Sequence, residues 1–450
     1  MLMTNGCFWN WMRSLACCLA AISARPGLAQ DTQRAVDSVE VAQRYATFLV
    51  AENFEEAVKL HNEKMKSALP VDNLNKVWRS AVRPAGQFLS FGAPTVQPAG
   101  SKQLVMIPAH YELKAFDFSV VVEKSGLIAG FYFKQQEVVV AYETPAYVEP
   151  SRFKEEVVTF GLKGWELHGR LTLPKGDARV PGVVLVHGSG PNDEDETIGQ
   201  CKPFKDLAGG LSSRGVAVLR YPKRTLAHKE MFIFPEKITV RDEVIVDALE
   251  AVRFLRTRPE IDASRIYLLG HSLGGTLAPQ IAGEDKGLGG IVLMAATPRD
   301  LLEVALEQMT YIAALPGPGQ HANEKELKKV RDSIAKLKSG VSPADVKVFG
   351  TPATYWNEVS DHGRKSLKQL PELSCRVLVI GGGRDYQVTR KDFDLYQEAL
   401  KDHEDAVLKW YEEMNHLFIR GQGKATPAEY DRPGHVDEQV IEDLAGWLKK

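Results

Sequence analysis

The chain has 450 residues, 44% of them hydrophobic and 25% charged, with a formal net charge of −2. That length exceeds one ordinary hydrophobic core and favours two domains. The near-neutral balance gives no ground for a nucleic-acid partner, and no run of ~18 apolar residues is present to span a membrane.

The N-terminal segment stands apart. In MRSLACCLAAISARPGLAQ (12–30) one basic residue, Arg13, precedes the apolar run LACCLAAI, Pro26-Gly27 breaks it, and Ala29 closes a short exit. This is the layout of a secretory signal peptide over residues 1–29, cleaved near Ala29, and implies a periplasmic or extracellular protein. Met12 is then the expected start of translation, and a short buried helix is the competing reading. Leu15-Ala16-Cys17-Cys18 makes a poor lipid-attachment site with Arg13 so close, so export without a lipid anchor is expected. Of the five cysteines only Cys201 and Cys375 lie beyond this segment. An oxidising compartment would allow them to pair. Their places at opposite ends of a sheet predict two free thiols.

Residues 33–140 read as a small α+β domain. The stretch from Val36 to Met65 has helical spacing, with Val41, Tyr45, Phe48 and Leu49 on one face. Alternation then marks two strands. Phe116, Phe118, Val120 and Val122 share one face, as do Leu127, Ala129, Phe131 and Phe133, around a hairpin turn at Lys124-Ser125-Gly126. His61 and His110 stand alone and read as surface or satisfied core histidines. Residues 141–154, with two prolines in PAYVEP, read as a linker.

From residue 155 to 450 strand and helix patterns alternate. VPGVVLVHGSG (180–190), GVAVLRY (215–221), RIYLLG (265–270), GIVLMAA (290–296) and RVLVIGG (376–382) hold continuous apolar runs. Such runs suit parallel strands buried on both faces. Between them Val244, Ala248, Ala251 and Leu255 recur at helical spacing, after a capping-box-like Thr239 and Asp242. The expected fold is α/β: a mostly parallel sheet with helices on both faces, and ligands at the carboxyl ends of the strands. Residues 297–370 form a long, mainly helical insert, read as a lid over the site or as plain scaffold.

The chemistry centres on GHSLGG. A strand-like run enters Gly270, Ser272 follows, and Gly274-Gly275 leads into a helical pattern. That order makes a nucleophile elbow, in which a strained turn presents the serine hydroxyl above the sheet. Without its context the motif would be only a polar residue in a glycine-rich turn. A serine needs a base within hydrogen-bond reach, and this architecture orders the partners as serine, acid, histidine. Asp385 follows a buried strand in GGGRDYQV, and His416 follows the strand-like LKWY. Ser272, Asp385 and His416 are therefore the expected catalytic residues. Asp392, Asp394, His403 and His435 are weaker rivals, because each sits on or beside a helix.

A tetrahedral oxyanion also needs donors. HGSGPND (187–193) ends the first long buried strand, so the backbone N–H groups of Ser189 and Leu273 are the expected oxyanion hole. DEDE (193–196) and RYPKR (220–224) should emerge on the same face, as a solvated acidic loop or as an ion pair across the mouth.

HGSGPNDEDETIG, LRYPKRT, GHSLGG, GGRDYQV, NHLF and PAEYDRPGHV occur in this order. As a set they closely resemble secreted bacterial α/β-hydrolase esterases carrying an N-terminal cystatin- or nuclear-transport-factor-like domain. The resemblance covers nearly the whole mature chain. It implies a serine carboxylesterase with no metal and no cofactor, active on small-molecule esters of short to medium acyl length. It also maps nucleophile, acid and base onto Ser272, Asp385 and His416. RYPKR departs from the family's RYDKR, which puts in doubt any role of an aspartate there. The N-terminal domain is left as a dimer contact, a lid support or a ligand pocket, with a homodimer through it as the partner expectation. Two other readings remain: a prolyl-oligopeptidase-like peptidase, since the same triad cleaves amides, and a non-catalytic binding protein on a hydrolase fold. Cysteine would be wanted at 272 for a dienelactone-type hydrolase, and aspartate for haloalkane or epoxide chemistry. Ser272 argues against both.

Overall fold

The computed structural model describes residues 37–111, 114–136, 141–231, 239–315, 320–348 and 351–450. The signal-peptide reading of residues 1–29 lies outside them. The chain separates into two compact units that divide between residues 140 and 141. No helix among the described residues is long and apolar enough to cross a membrane.

In the N-terminal unit the helical stretch breaks into α1 (Ser38–Val50), α2 (Phe54–Lys59) and α3 (Glu63–Ala68), followed by α4 (Val71–Ala81). Periodicity had predicted one run. The breaks fall where Asn53 and Asn62 turn their side chains onto the backbone N–H groups of Glu56 and Met65, each starting a new helix. Ala42, Tyr45, Ala46 and Leu49 form the buried face of α1, whereas Val41 and Phe48 are half-buried. The sheet consists of β1 (Phe88–Phe91), β2 (Thr95–Ala99), β3 (Lys102–Tyr111), β4 (Ala115–Val122) and β5 (Ile128–Gln136), in the antiparallel order β1-β3-β4-β5 with β2 also on β3. Phe116, Phe118, Val120 and Val122 are buried as predicted. In β5 the parity differs. A register shift between Val121 and Val122 brings Ile128 into the core and leaves Leu127 exposed, while Phe131 and Phe133 still pack on it. His61 is a core histidine, its Nε2 2.9 Å from the Tyr45 hydroxyl, and burial lowers its pKa to about 4.

The second unit is built on an eight-stranded sheet: β6 (Phe153–Phe160), β7 (Leu167–Pro174), β8 (Val180–Val186), β9 (Ala217–Arg220), β10 (Ile261–His271), β11 (Gly290–Met294), β14 (Arg376–Gly382) and β15 (Ala406–Tyr411). A two-stranded ribbon, β12 (Lys347–Val348) and β13 (Thr351–Pro352), belongs to the insert. The order β15-β14-β11-β10-β8-β9-β7-β6 is parallel from β15 to β9, and β7 runs antiparallel to both its neighbours. Apolar residues on the two faces of this sheet enter two separate cores, with Val184 and Leu268 in one and Val183 and Leu269 in the other. The strand order reverses at β8, which pairs with β9 on one side and β10 on the other. A crevice for ligands is expected at such a point.

Helices α5 (Pro203–Ser212), α6 (Arg224–Ala227), α7 (Val246–Arg256) and α8 (Leu273–Glu284) connect the strands, and α12 (Arg390–Ala399) and α13 (Glu438–Leu448) close the unit. The insert contributes α9 (Leu301–Ala313), α10 (Gln320–Lys338) and α11 (Ala353–Gln369). Its Leu301, Leu302, Trp356 and Val359 join the core on one face of the sheet. The segment read as a linker is bound to this unit: the Tyr142 hydroxyl donates to Asp206 at 2.7 Å and that of Tyr147 to the Val436 carbonyl at 2.7 Å. Cys201 is buried, with Sγ 3.4 Å from the Arg432 carbonyl, and Cys375 is half-buried.

Candidate active site

Between the end of β10 at His271 and the start of α8 at Leu273, one residue makes the whole turn. Ser272 has φ 53° and ψ −113°, a conformation that costs a residue with a side chain about 1–3 kcal/mol. The surroundings hold it there. Its N–H donates to the Met294 carbonyl at 2.8 Å, and its carbonyl accepts from the Thr276 hydroxyl at 3.2 Å. The glycines permit the approach of strand and helix. A Cβ on Gly270 would lie 2.2 Å from the Gly274 carbonyl carbon, and one on Gly274 would lie 2.2 Å from the Val186 carbonyl oxygen. Glu196, Ala295 and Phe418 also have positive φ. All three lie in loops of the same unit, Ala295 directly after β11.

Asp385 follows β14 and His416 follows β15, neighbouring parallel strands. Gly382 and Gly383 let the following loop pass close, since a Cβ on either would lie 2.5 Å from the carbonyl oxygen of Met414 or Glu412. Asp385 Oδ1 accepts the N–H groups of Gln387 at 2.7 Å and Val388 at 2.9 Å. That leaves Oδ2 facing Nδ1 of His416 at 2.7 Å, with both residues buried. The histidine loop is held by Asn415, whose Oδ1 accepts from Leu417 N at 3.0 Å and Ile419 N at 3.1 Å, and whose Nδ2 donates to Glu429. With Nδ1–H given to the carboxylate, Nε2 of His416 is the nitrogen able to take a proton.

The loop after β8 brings His187-Gly188-Ser189 against the elbow: a Cβ on Gly188 would stand 3.3 Å from the Ser272 Cβ. Leu273 opens α8, so its N–H has no intrahelical acceptor. Among the described residues neither it nor the Ser189 N–H donates to a backbone carbonyl. The rivals are engaged elsewhere. Asp392 caps α12 and binds Arg299, Asp394 pairs with Arg390, His403 donates to the Leu373 carbonyl, and His435 lies on Asp206.

The acidic loop differs from the sequence expectation. It is not a solvated face. Asp195 Oδ1 accepts from Nε of the buried Arg220 at 3.0 Å, so the ion pair forms. Glu196 is buried, accepts the Gly188 N–H on Oε1 at 2.6 Å, and sets Oε2 3.0 Å from Nδ1 of His271. Lys223 and Arg224 are buried as well, against Glu243 and Asp247 on the segment opening α7. Spacing carried no sign of Glu196 or His271. The only hint was the cation run of RYPKR facing the acidic loop.

An elbow serine and a buried histidine–carboxylate pair at the carboxyl edge of a mostly parallel sheet define an α/β hydrolase. The chain belongs to the serine aminopeptidase S33 family, whose model matches residues 182–422. Residues 42–131 match a family described as protein of unknown function, DUF3887. Esterase EstD of Thermotoga maritima is 40% identical over 415 residues, covering 90% of this chain and 94% of its own. With that kinship the chain is a carboxylesterase-type hydrolase. Thiohydrolase aneE of Aspergillus aculeatus is 26% identical over 286 residues, 58% of this chain and 86% of its own. Among solved structures, a Pyrococcus furiosus esterase matches 66% of this chain and 91% of its own, at 16% identity and a TM-score of 0.41.

Proposed function

We propose that the protein hydrolyses carboxylic esters through an acyl-enzyme on Ser272. His416 Nε2 takes the hydroxyl proton as Ser272 attacks the ester carbonyl, and gives it to the departing alkoxide. Water then attacks the acyl-enzyme with His416 again as base. Asp385 orients the imidazole and stabilises its cation, and the amides of Ser189 and Leu273 receive the oxyanion. The observation that carries this reading is the buried 2.7 Å contact between His416 Nδ1 and Asp385 Oδ2, which sets the tautomer a general base needs.

Esters of short to medium acyl length are the proposed substrates. Four residues of the insert, Thr297, Arg299, Leu301 and Val359, wall a water-sized cavity beside Leu273, and the insert is proposed to act as a lid. Export of the mature chain after cleavage near Ala29, and pairing of two copies through a cystatin- or nuclear-transport-factor-like N-terminal domain, belong to the same proposal. Cell fractionation and light scattering test them.

A fluorophosphonate probe on the parent and on Ser272→Ala tests the core of it, together with p-nitrophenyl esters of rising acyl length. Labelling and turnover in the parent only, best at short chains, is the expected result. The family model's own description, serine aminopeptidase, supplies the second reading. Peptide-amide turnover matching ester turnover would make that reading the better one. A folded parent that neither labels nor turns over ester is no enzyme of this kind.

A further inference from the structure

Gly188 is gripped from both sides by buried charged groups. Its N–H donates to Glu196 Oε1 at 2.6 Å, and its carbonyl oxygen accepts from Lys223 Nζ at 2.9 Å. Lys223 is 2% exposed and Glu196 1%. The ammonium also meets Glu243 Oε1 at 2.5 Å, and the other oxygen of Glu243 accepts the Tyr355 hydroxyl at 2.6 Å. Burying an ion pair is costly and often no more stable than an apolar replacement. This pair nevertheless spends one of its donors on a loop carbonyl beside the elbow. The adjoining buried pair, Arg224 with Asp247, closes on itself through two bonds.

We propose that Lys223 is a positioning residue for the oxyanion hole: through the Gly188 carbonyl it aims and polarises the Ser189 N–H. The inference rests on the ester-hydrolase reading above. The Gly188–Ser189 peptide is planar and trans, so its C=O and N–H point in opposite directions. Anchoring the oxygen on Nζ therefore fixes where the N–H points. A cation on an amide oxygen also draws electron density from the nitrogen, and linked hydrogen bonds strengthen one another. Glu196 holds the preceding peptide, and Asn192 Nδ2 stands 3.3 Å from the carbonyl oxygens of both Gly188 and Ser189. Neither Lys223 nor Glu196 needs to touch substrate. A donor already aimed at the developing charge favours the transition state over the bound ester, so kcat is the parameter that carries the effect.

The test is the Lys223→Met/Glu243→Gln double variant, which removes both charges and leaves neither buried alone. Its control is Arg224→Met/Asp247→Asn, which neutralises the pair that does not touch the loop. Expected for the first variant are a kcat lower by about 10- to 100-fold with KM within about 3-fold, and a trifluoromethyl ketone bound more weakly by the same factor as kcat. The control should keep both within about 3-fold of parent whatever its melting temperature. Parent-like kcat and ketone affinity in the first variant, or equal losses in both, would overturn the proposal. Should the first variant show no cooperative melt, selective 15N-serine labelling of the parent, assigned with Ser189→Ala, replaces it. The Ser189 amide proton is expected to move downfield when the ketone binds, and an unmoved signal counts against Lys223. A parent without ester turnover would instead sink the hydrolase reading, so the two failures are distinct.

Discussion

His271 donates from Nε2 to the backbone carbonyl of His416 at 3.0 Å, and the two rings lie 4.7 Å apart, centroid to centroid. The residue before the elbow serine thus fastens the loop of the proposed base. Glu196 extends the chain of contacts to Gly188, so one buried carboxylate joins three loops that come from distant parts of the sequence.

That network has a pH signature. Burial opposes a charged His271, but the Glu196 carboxylate prevails and its pKa stands above the usual imidazole value. Burial opposes a charged Glu196 too, yet His271 and the Gly188 N–H hold its pKa below the usual carboxylate value. The His271 contribution to stability is complete below roughly pH 6.5 and is lost as pH rises through its raised folded pKa. The Glu196 contribution is complete above roughly pH 4.3 and is lost as pH falls through its depressed folded pKa. Glu196→Gln should therefore melt below the parent by a margin widest near pH ~5–6 and narrower toward alkaline pH. Melting curves across that range check it, and a margin independent of pH would remove the charge pair from the account.

Asp385→Asn should keep the fold, because its side-chain oxygen can still accept from Gln387 and Val388. It should favour the wrong His416 tautomer and lower kcat by about 10³- to 10⁴-fold with KM little changed. Steady-state kinetics on a short p-nitrophenyl ester decide this. A loss under about 10-fold would mean that Asp385 does not orient the base.

Gly270→Ala forces a Cβ to within 2.2 Å of the Gly274 carbonyl carbon. No side-chain rotation relieves a clash between main-chain atoms, so β10 and α8 must part. A destabilisation above about 4 kcal/mol is expected, in the range reserved for named backbone or core damage. Soluble yield and urea unfolding measure it, and parent-like stability would show that the elbow is looser than described.

Arg220 is 2% exposed and meets Asp195 at 3.0 Å and Glu155 at 2.8 Å. Arg220→Met takes one of two cations from each carboxylate, since Lys202 still meets Asp195 at 3.1 Å and Arg170 still meets Glu155 at 3.1 Å, and should cost about 1–3 kcal/mol. Arg220→Met/Asp195→Asn should recover part of that loss. Denaturant unfolding of both variants tests the pairing, and no recovery in the double would place the damage in packing alone.

Local pattern carried much of this molecule, and its failures are informative. Buried strands such as 180–186 and 376–382 were legible because both faces are covered, which forces unbroken apolar runs. β5 misled by one residue, since a bulge changes which parity faces the core and leaves no mark in composition. The helical stretch of 36–65 was read as one because periodicity continues across the two asparagine caps.

By itself the sequence determined the fold class, the elbow around Ser272, and the placing of Asp385 and His416 after late strands, because each follows from local patterns of apolar runs and glycines. Only the tertiary structure decided which carboxylate oxygen meets which imidazole nitrogen, and that Glu196, His271, Lys223 and Glu243 close around Gly188. These groups lie 8 to 83 residues from Gly188 along the chain. A buried charge is tolerated only where a distant partner arrives to meet it, and the packing of strands and helices determines that arrival.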